Sequence, residues 1–147
     1  MFKTRISVSI ARTREDVFDY VTDPANDAQW QSSVQSSQWA SQPPHGVGST
    51  QNLVNRFLGR KIKSTLEVTA WDRPNKYGFK VIKGPVPFQG VTELTTSGDR
   101  GTELTVDIEA EFGGFFKLAE GLVGKQLEKT LDTDFNALKV VLEGDQG

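Results

Sequence analysis

The stretch that most limits what this chain can become is its last apolar one, Phe115 to Glu143. Leu118, Leu122, Leu127, Leu131, Phe135, Leu138 and Leu142 follow one another mostly at steps of three, four or seven. Lys117, Glu120, Lys125, Glu128, Lys129, Asp132 and Lys139 fill much of the remainder. This pattern predicts an amphipathic helix with one buried stripe. Its 29 residues would reach about 43 Å at about 1.5 Å per residue, longer than six or seven strands are wide at about 4.8 Å each. A helix of that length has to lie across something large. The chain ahead of it reads as short alternating strands, so a sheet is expected to fold around the helix, with the gap between them as the working part.

Taken in order, Ile6, Val8 and Ile10 alternate with Ser7 and Ser9, which predicts a first strand with one buried face. Thr13 followed by Asp16 marks a helix start, and Asp23-Pro24 ends that helix because the residue before proline is pushed out of the helical region. Pro24 to Trp30 then reads as a second short helix. Val34 to Ala40 is Ser- and Gln-rich, a poor strand by propensity, yet its place before the turn Pro43-Pro44-His45-Gly46 makes it one. Thr50 to Leu58 and Lys61 to Trp71 are longer strands, with Gly59-Arg60 read as their hairpin turn and Ile62, Ser64, Leu66, Val68 and Ala70 on one face. Tyr77, Phe79 and Val81, then Phe88 to Thr96, then Leu104 to Phe112 give three more. Turns of hairpin length make the neighbours antiparallel, since parallel neighbours need long crossovers. For Thr50 to Leu58 both faces are mixed, so the sequence leaves open whether Arg56 faces in or out.

Length bounds the chain to one domain over residues 1–147, large enough to bury a core unaided. Lys and Arg total 17 against 19 Asp and Glu, a formal charge of -2 with no long run of one sign, which gives no electrostatic case for a nucleic-acid partner. No apolar run reaches the ~20 residues of a membrane span, and no signal peptide opens the chain, so a cytoplasmic location is expected. With no cysteine there are no disulfides, no thiolate catalysis and no sulfur-bound metal. One histidine, His45, makes a tetrahedral zinc site a poor expectation, and no cofactor is expected.

Catalytic candidates are few. His45 sits on a turn with no identifiable orienting partner, which favours a loop residue over an acid-base group. Glu103, Asp107, Glu109 and Glu111 fall opposite Leu104, Val106 and Ile108, as a solvated sheet face does. Ser64 and Thr92 lie on apolar faces, where a hydroxyl either bonds a ligand or is satisfied by backbone or water. The aromatics, Trp30, Trp39, Phe57, Phe79, Phe88, Phe112, Phe115 and Phe116, either fill a core or line a cavity. Gly113, Gly114, Gly121 and Gly124 near the helix start allow either space or close packing there. Leu122, close to these glycines, is expected on the cavity wall.

The order of elements resembles the helix-grip fold of the START/Bet v 1-like (SRPBCC) superfamily, and within it the bacterial polyketide cyclase/dehydrase and lipid transport proteins. The resemblance rests on Thr13 to Val21, on Asp23-Pro24 with Trp30, on Gly48-Ser49-Thr50 and on Trp71-Asp72-Arg73-Pro74. Gly101-Thr102-Glu103-Leu104-Thr105 and Ala137 to Glu143 extend it over nearly the whole chain. It implies an α+β fold: a curved antiparallel sheet of six or seven strands around a long C-terminal helix, with two short helices between strands one and two. It also implies a cavity for a small hydrophobic molecule, lipid-like or aromatic. Trp30, Phe57, Ser64, Leu66, Phe79, Val81, Phe88, Thr92 and Val106 are the residues expected to line it. Binding or carriage is the leading expectation. A cyclase or dehydratase, or a protein-interaction module such as a chaperone partner or quinone-pathway accessory protein, is the alternative. Oligomeric state is left open, a homodimer included.

Overall fold

In the computed structural model, which describes residues 2–111 and 120–144, the alternating stretches assemble into one antiparallel sheet of seven strands. These are β1 (Phe2–Ile10), β2 (Val34–Trp39), β3 (Thr50–Phe57), β4 (Arg60–Asp72), β5 (Lys76–Lys83), β6 (Phe88–Ser97) and β7 (Gly101–Ala110). The chain from β2 to β7 is a meander, and β1 joins its far edge by pairing with β7 from Phe2↔Ala110 to Ile10↔Thr102. Between β1 and β2 lie α1 (Arg14–Val21), a 3-10 turn (Pro24–Asn26) and α2 (Asp27–Trp30). The long helix α3 spans Glu120–Gly144. This is the helix-grip arrangement, and the capping signals are used as the sequence suggests. The Asp16 backbone N–H donates to the Thr13 hydroxyl (3.2 Å), and the Ala25 N–H donates to Asp23 Oδ1 (3.0 Å).

The end of α3 is fastened to the start of the chain. Lys139 Nζ donates to the Ser9 carbonyl (2.6 Å), Arg12 donates to the Leu142 carbonyl (2.8 Å), and the Ala11 N–H donates to Glu143 (2.9 Å). At the other end of β1 the Phe2 ring lies over Gly124, where a Cβ would come within 3.0 Å of the ring carbons. Gly124 thus serves close packing of helix on sheet, and with start on start and end on end α3 runs in the same direction as β1. Beneath the fastened end Phe135, Leu138 and Leu142 join Val8, Ile10, Val17, Phe18 and Leu104 in the largest core cluster. Phe18 sets its edge against Trp71 with ring centres 5.4 Å apart.

Three expectations are corrected here, and the open question of Arg56 is answered. The β3–β4 turn is Leu58-Gly59, not Gly59-Arg60: Phe57 pairs with Arg60, and both turn residues have positive φ (50° and 78°), as a two-residue hairpin requires. The alternation along β4 slips at a bulge between Val68 and Ala70, so Trp71 takes the inward place assigned to Ala70. Arg56 is exposed, because Gln51, Leu53, Asn55 and Phe57 take the inward positions of β3. Leu122 is 74 % exposed and is no cavity wall. It stands five residues before Leu127, and five steps of about 100° place it some 140° round the helix, whereas Val123 is four residues before Leu127 and is buried. Phe112, Gly113, Gly114, Phe115, Phe116, Lys117 and Leu118 lie outside the described residues.

Candidate functional site

The curved sheet and α3 do not close on one another everywhere. Between them lies a cavity of about 210 Å³. Its floor is the inward face of the sheet: Leu53 and Phe57 of β3, Ile62 and Leu66 of β4, Tyr77 and Phe79 of β5, Phe88 and Thr92 of β6, and Leu104, Val106, Ile108 and Ala110 of β7. Its roof is Leu127, Leu131 and Phe135 of α3, and Trp30 of α2 closes one side, its ring 5.0 Å from that of Phe135. Gly90 has a particular part in this floor. It pairs with Phe79, and a Cβ on it would stand 2.8 Å from Phe79 Cζ. Without a side chain there, the Phe79 ring lies down on β6 instead of standing up into the space.

Polarity is distributed unevenly along the cavity. Around Phe57, Ile62, Val86, Phe88, Ala110 and Leu127 the lining is apolar. Towards α1 and α2 it includes Thr22, Asp27, Gln51, Tyr77 and Thr92, all of them buried. Asp27 is fixed by two neighbouring strands: Ser37 Oγ of β2 donates to its Oδ2 (2.7 Å), as does Gln51 Nε2 of β3 (3.0 Å). Gln51 also donates to Ser37 Oγ (2.6 Å), which closes a small network. Burial pushes the Asp27 carboxyl up to about 6; the bonds from Ser37 and Gln51 pull it down, and nearby Asp23 adds to the rise. Burial, and after it the charge of Asp27, raises the Tyr77 phenol. A second buried carboxyl, Asp134 of α3, accepts from the Ser32 N–H (3.1 Å) and hydroxyl (2.8 Å), and burial raises it too. Among the described residues no Lys, Arg or His lines the cavity, and no three His, Cys, Asp or Glu stand together as metal ligands would.

Of the residues named from sequence, Trp30, Phe57, Leu66, Phe79, Phe88, Thr92 and Val106 line this cavity. Ser64 and Val81 do not. Ser64 is buried with its hydroxyl unpartnered among the described residues, and the backbone at Gly84 lies over it, a Cβ there falling 3.0 Å from Ser64 Oγ. Val81 packs instead with Val34, Leu53 and Leu66. His45 is away from the cavity, its ring stacked on Trp39 at 3.9 Å and its Nε2 3.2 Å from the Ser41 carbonyl. Sequence reasoning missed Asp27, Gln51 and Asp134. A signal existed for two of them: Gln51 alternates in phase with Leu53 and Phe57, and Asp134 stands at heptad spacing from Leu127 on the apolar stripe. A polar residue at a core position of a periodic pattern is the signal that an apolar core would not leave.

Solved structures of low sequence identity share this architecture. A protein from Thermus thermophilus aligns over 99 % of both chains with a TM-score of 0.85 and 19 % identity. A START superfamily protein from Mycobacterium smegmatis aligns over 98 % of this chain and 99 % of its own, with a TM-score of 0.81 and 18 % identity. The Zhui aromatase/cyclase from Streptomyces aligns over 97 % and 92 %, with a TM-score of 0.71 and 17 % identity. At these identities the likeness is one of fold. No curated protein is similar enough in sequence to count as a match. Residues 1–143 match the profile of the polyketide cyclase / dehydrase and lipid transport family, and the chain therefore belongs to that family.

Proposed function

We propose that this protein binds and carries a small, mostly apolar molecule in the cavity between its sheet and α3. The observation that carries the reading is the cavity itself: about 210 Å³ left open under a helix whose other end is packed solid, with walls of Leu, Ile, Val and Phe. Close-packed interiors keep few voids larger than a water molecule, so a space of this size with apolar walls fits a ligand better than a packing fault. The family's description includes lipid transport, which agrees with carriage. Titration with an apolar fluorescent probe tests it. Saturable one-to-one binding is expected, and Phe79→Trp or Leu131→Trp, which add bulk from floor and roof, should lower it while the fold survives. If the parent shows no saturable binding to any apolar probe, the carrier reading fails and an interaction module becomes the better one.

A second reading, proton transfer in a cyclisation or dehydration, is favoured by one observation: a buried carboxyl with its pKa pushed up to about 6 beside a phenol in the same cavity. Incubation with a poly-β-carbonyl thioester, followed by mass spectrometry, checks it. Recovery of unchanged substrate from the parent, or equal product from Asp27→Asn, removes this reading.

A further inference from the structure

The cavity has a polar end with unused hydrogen-bonding capacity and, among the described residues, no basic side chain. Asp27 Oδ2 is occupied by Ser37 and Gln51, while Oδ1 accepts no hydrogen bond from the described residues. Tyr77 and Thr92 are 8 % and 7 % exposed and line the same cavity; they are partners across β5 and β6, and neither hydroxyl is hydrogen-bonded among the described residues. Buried carboxylate oxygens and hydroxyls nearly always have a partner. Three such groups on one side of one space point to a polar group that arrives from outside.

We propose that the α1–α2 end of the cavity is a seat for the polar end of an apolar ligand. It selects a head group that donates a hydrogen bond to Asp27, an alcohol, phenol or amine, over a carboxylate head. This rests on the cavity being a ligand site. Asp27 Oδ1 is the acceptor, the Tyr77 and Thr92 hydroxyls complete the contact, and the apolar body extends towards Phe57 and Phe88. The groups facing Asp27 are Ser37 from β2, Gln51 from β3 and Tyr77 from β5, with Asp23 beside it in its own segment; across the cavity α3 offers Asp134, itself held by Ser32. Every charge among them is negative. A carboxylate head would meet that field with no Lys, Arg or His among the described lining residues to neutralise it, whereas a donor head supplies what the Asp27 oxygen lacks.

Calorimetric titration of the full chain at about pH 7.5 tests this with matched probes: 1-decanol, decylamine and decanoate for an aliphatic body, 2-naphthol and 2-naphthoate for an aromatic one. The donor heads should bind at least about tenfold tighter than the carboxylate of the same body, and the better of the two series identifies the body. Asp27→Asn should narrow that ratio to within about threefold, since the amide removes the charge and keeps the shape. Should the variant fail to fold, the parent serves with naphthalene-2-sulfonate, which stays ionised throughout. Its affinity relative to 2-naphthol should rise about tenfold or more as the pH is lowered from about 7.5 to 5 and Asp27 takes up its proton. Equal binding of decanol and decanoate, an unchanged ratio in Asp27→Asn, or a sulfonate ratio that ignores pH overturns the seat and leaves the carrier reading standing. Binding of no probe at all overturns both.

Discussion

The two halves of α3 use the same kind of side chain for opposite ends. Over Leu138 and Leu142 the helix is packed solid: Leu138 has no exposed surface, and both share a core cluster with Val8, Ile10, Val17 and Phe18, while Phe135 stands at the border, in that cluster and on the roof. Over Leu127 and Leu131 it is a roof, and those leucines are half-buried because one flank meets the cavity instead of another side chain. Buried polar groups are concentrated on one side of this division, although Thr102, its hydroxyl donating to the Arg12 carbonyl, is buried at the solid end. Thr22, Asp27, Gln51, Thr92 and Asp134 are all buried and all line the hollow part. The hollow is therefore no region of missing bulk. It is a place where large apolar residues stand around a space that polar groups also face, and the solid end supplies the stability that such groups cost.

The sharpest way to break this comparison is to delete equal bulk from each half. Leu138→Ala should destabilise by about 3 to 5 kcal/mol, the upper range for a leucine removed from a packed core, measured by denaturant melts. A loss no larger than that at Leu131 would deny that the two halves differ.

Next in size is the buried carboxyl of the hollow. The folded pKa of Asp27, about 6 against an ordinary 3.8, means that the folded chain holds this proton more tightly than the unfolded one. The stabilisation linked to it is therefore fully present below about pH 4, is lost as pH rises through about 6, and stays lost above that. The whole swing is on the order of 3 kcal/mol. Subtracting Asp27→Asn stability from parent stability across pH 4 to 7.5 isolates it from Asp134, whose shift has the same sign, and from Asp19 and Glu143, whose pKa values are lowered by Arg73 and Lys139. A flat difference would place Asp27 in contact with water.

Leu131→Ala should cost less than Leu138→Ala, about 1 to 2 kcal/mol, since the methyl groups removed had partners on one flank only. Probe binding should survive with a larger occupant tolerated. Smallest of all, Leu122→Ala should change stability by no more than about 0.5 kcal/mol, as surface substitutions do. A loss above about 1 kcal/mol would mean that Leu122 is covered in solution.

Much of the architecture was legible because its signals are local. The serine-valine alternation of β1, the Thr13 cap, the Asp23-Pro24 break and the leucine stripe of α3 each act within a few residues, and each reappears in the fold. The site was legible in part. Phe79, Phe88 and Val106 each stand in phase with the apolar residues of their own strand, and the register that sets Phe79 opposite Gly90 and Thr92 opposite Val106 brings the three to one face. Ser64 and Val81 alternate in the same way and still miss the cavity, because the backbone at Gly84 and the side chains of Val34 and Leu53 cover them, and those segments are distant in sequence.

What the sequence by itself determined is thus the identity of the elements, their order and the antiparallel meander, since propensity, capping and hairpin-length turns need no distant partner. Tertiary structure alone decided three further things. It set what the start of α3 packs on, where Val123 meets Phe2, Ile62 and Ala110 from strands far away in the chain. It set the inward face of β3, where mixed polarity left Arg56 and Asn55 equal until pairing with β4 chose between them. And it brought Asp27, Ser37, Gln51 and Tyr77 from four separate elements to one end of a cavity. Burial of a carboxyl is a property of everything around it, so no local pattern in the chain encodes it.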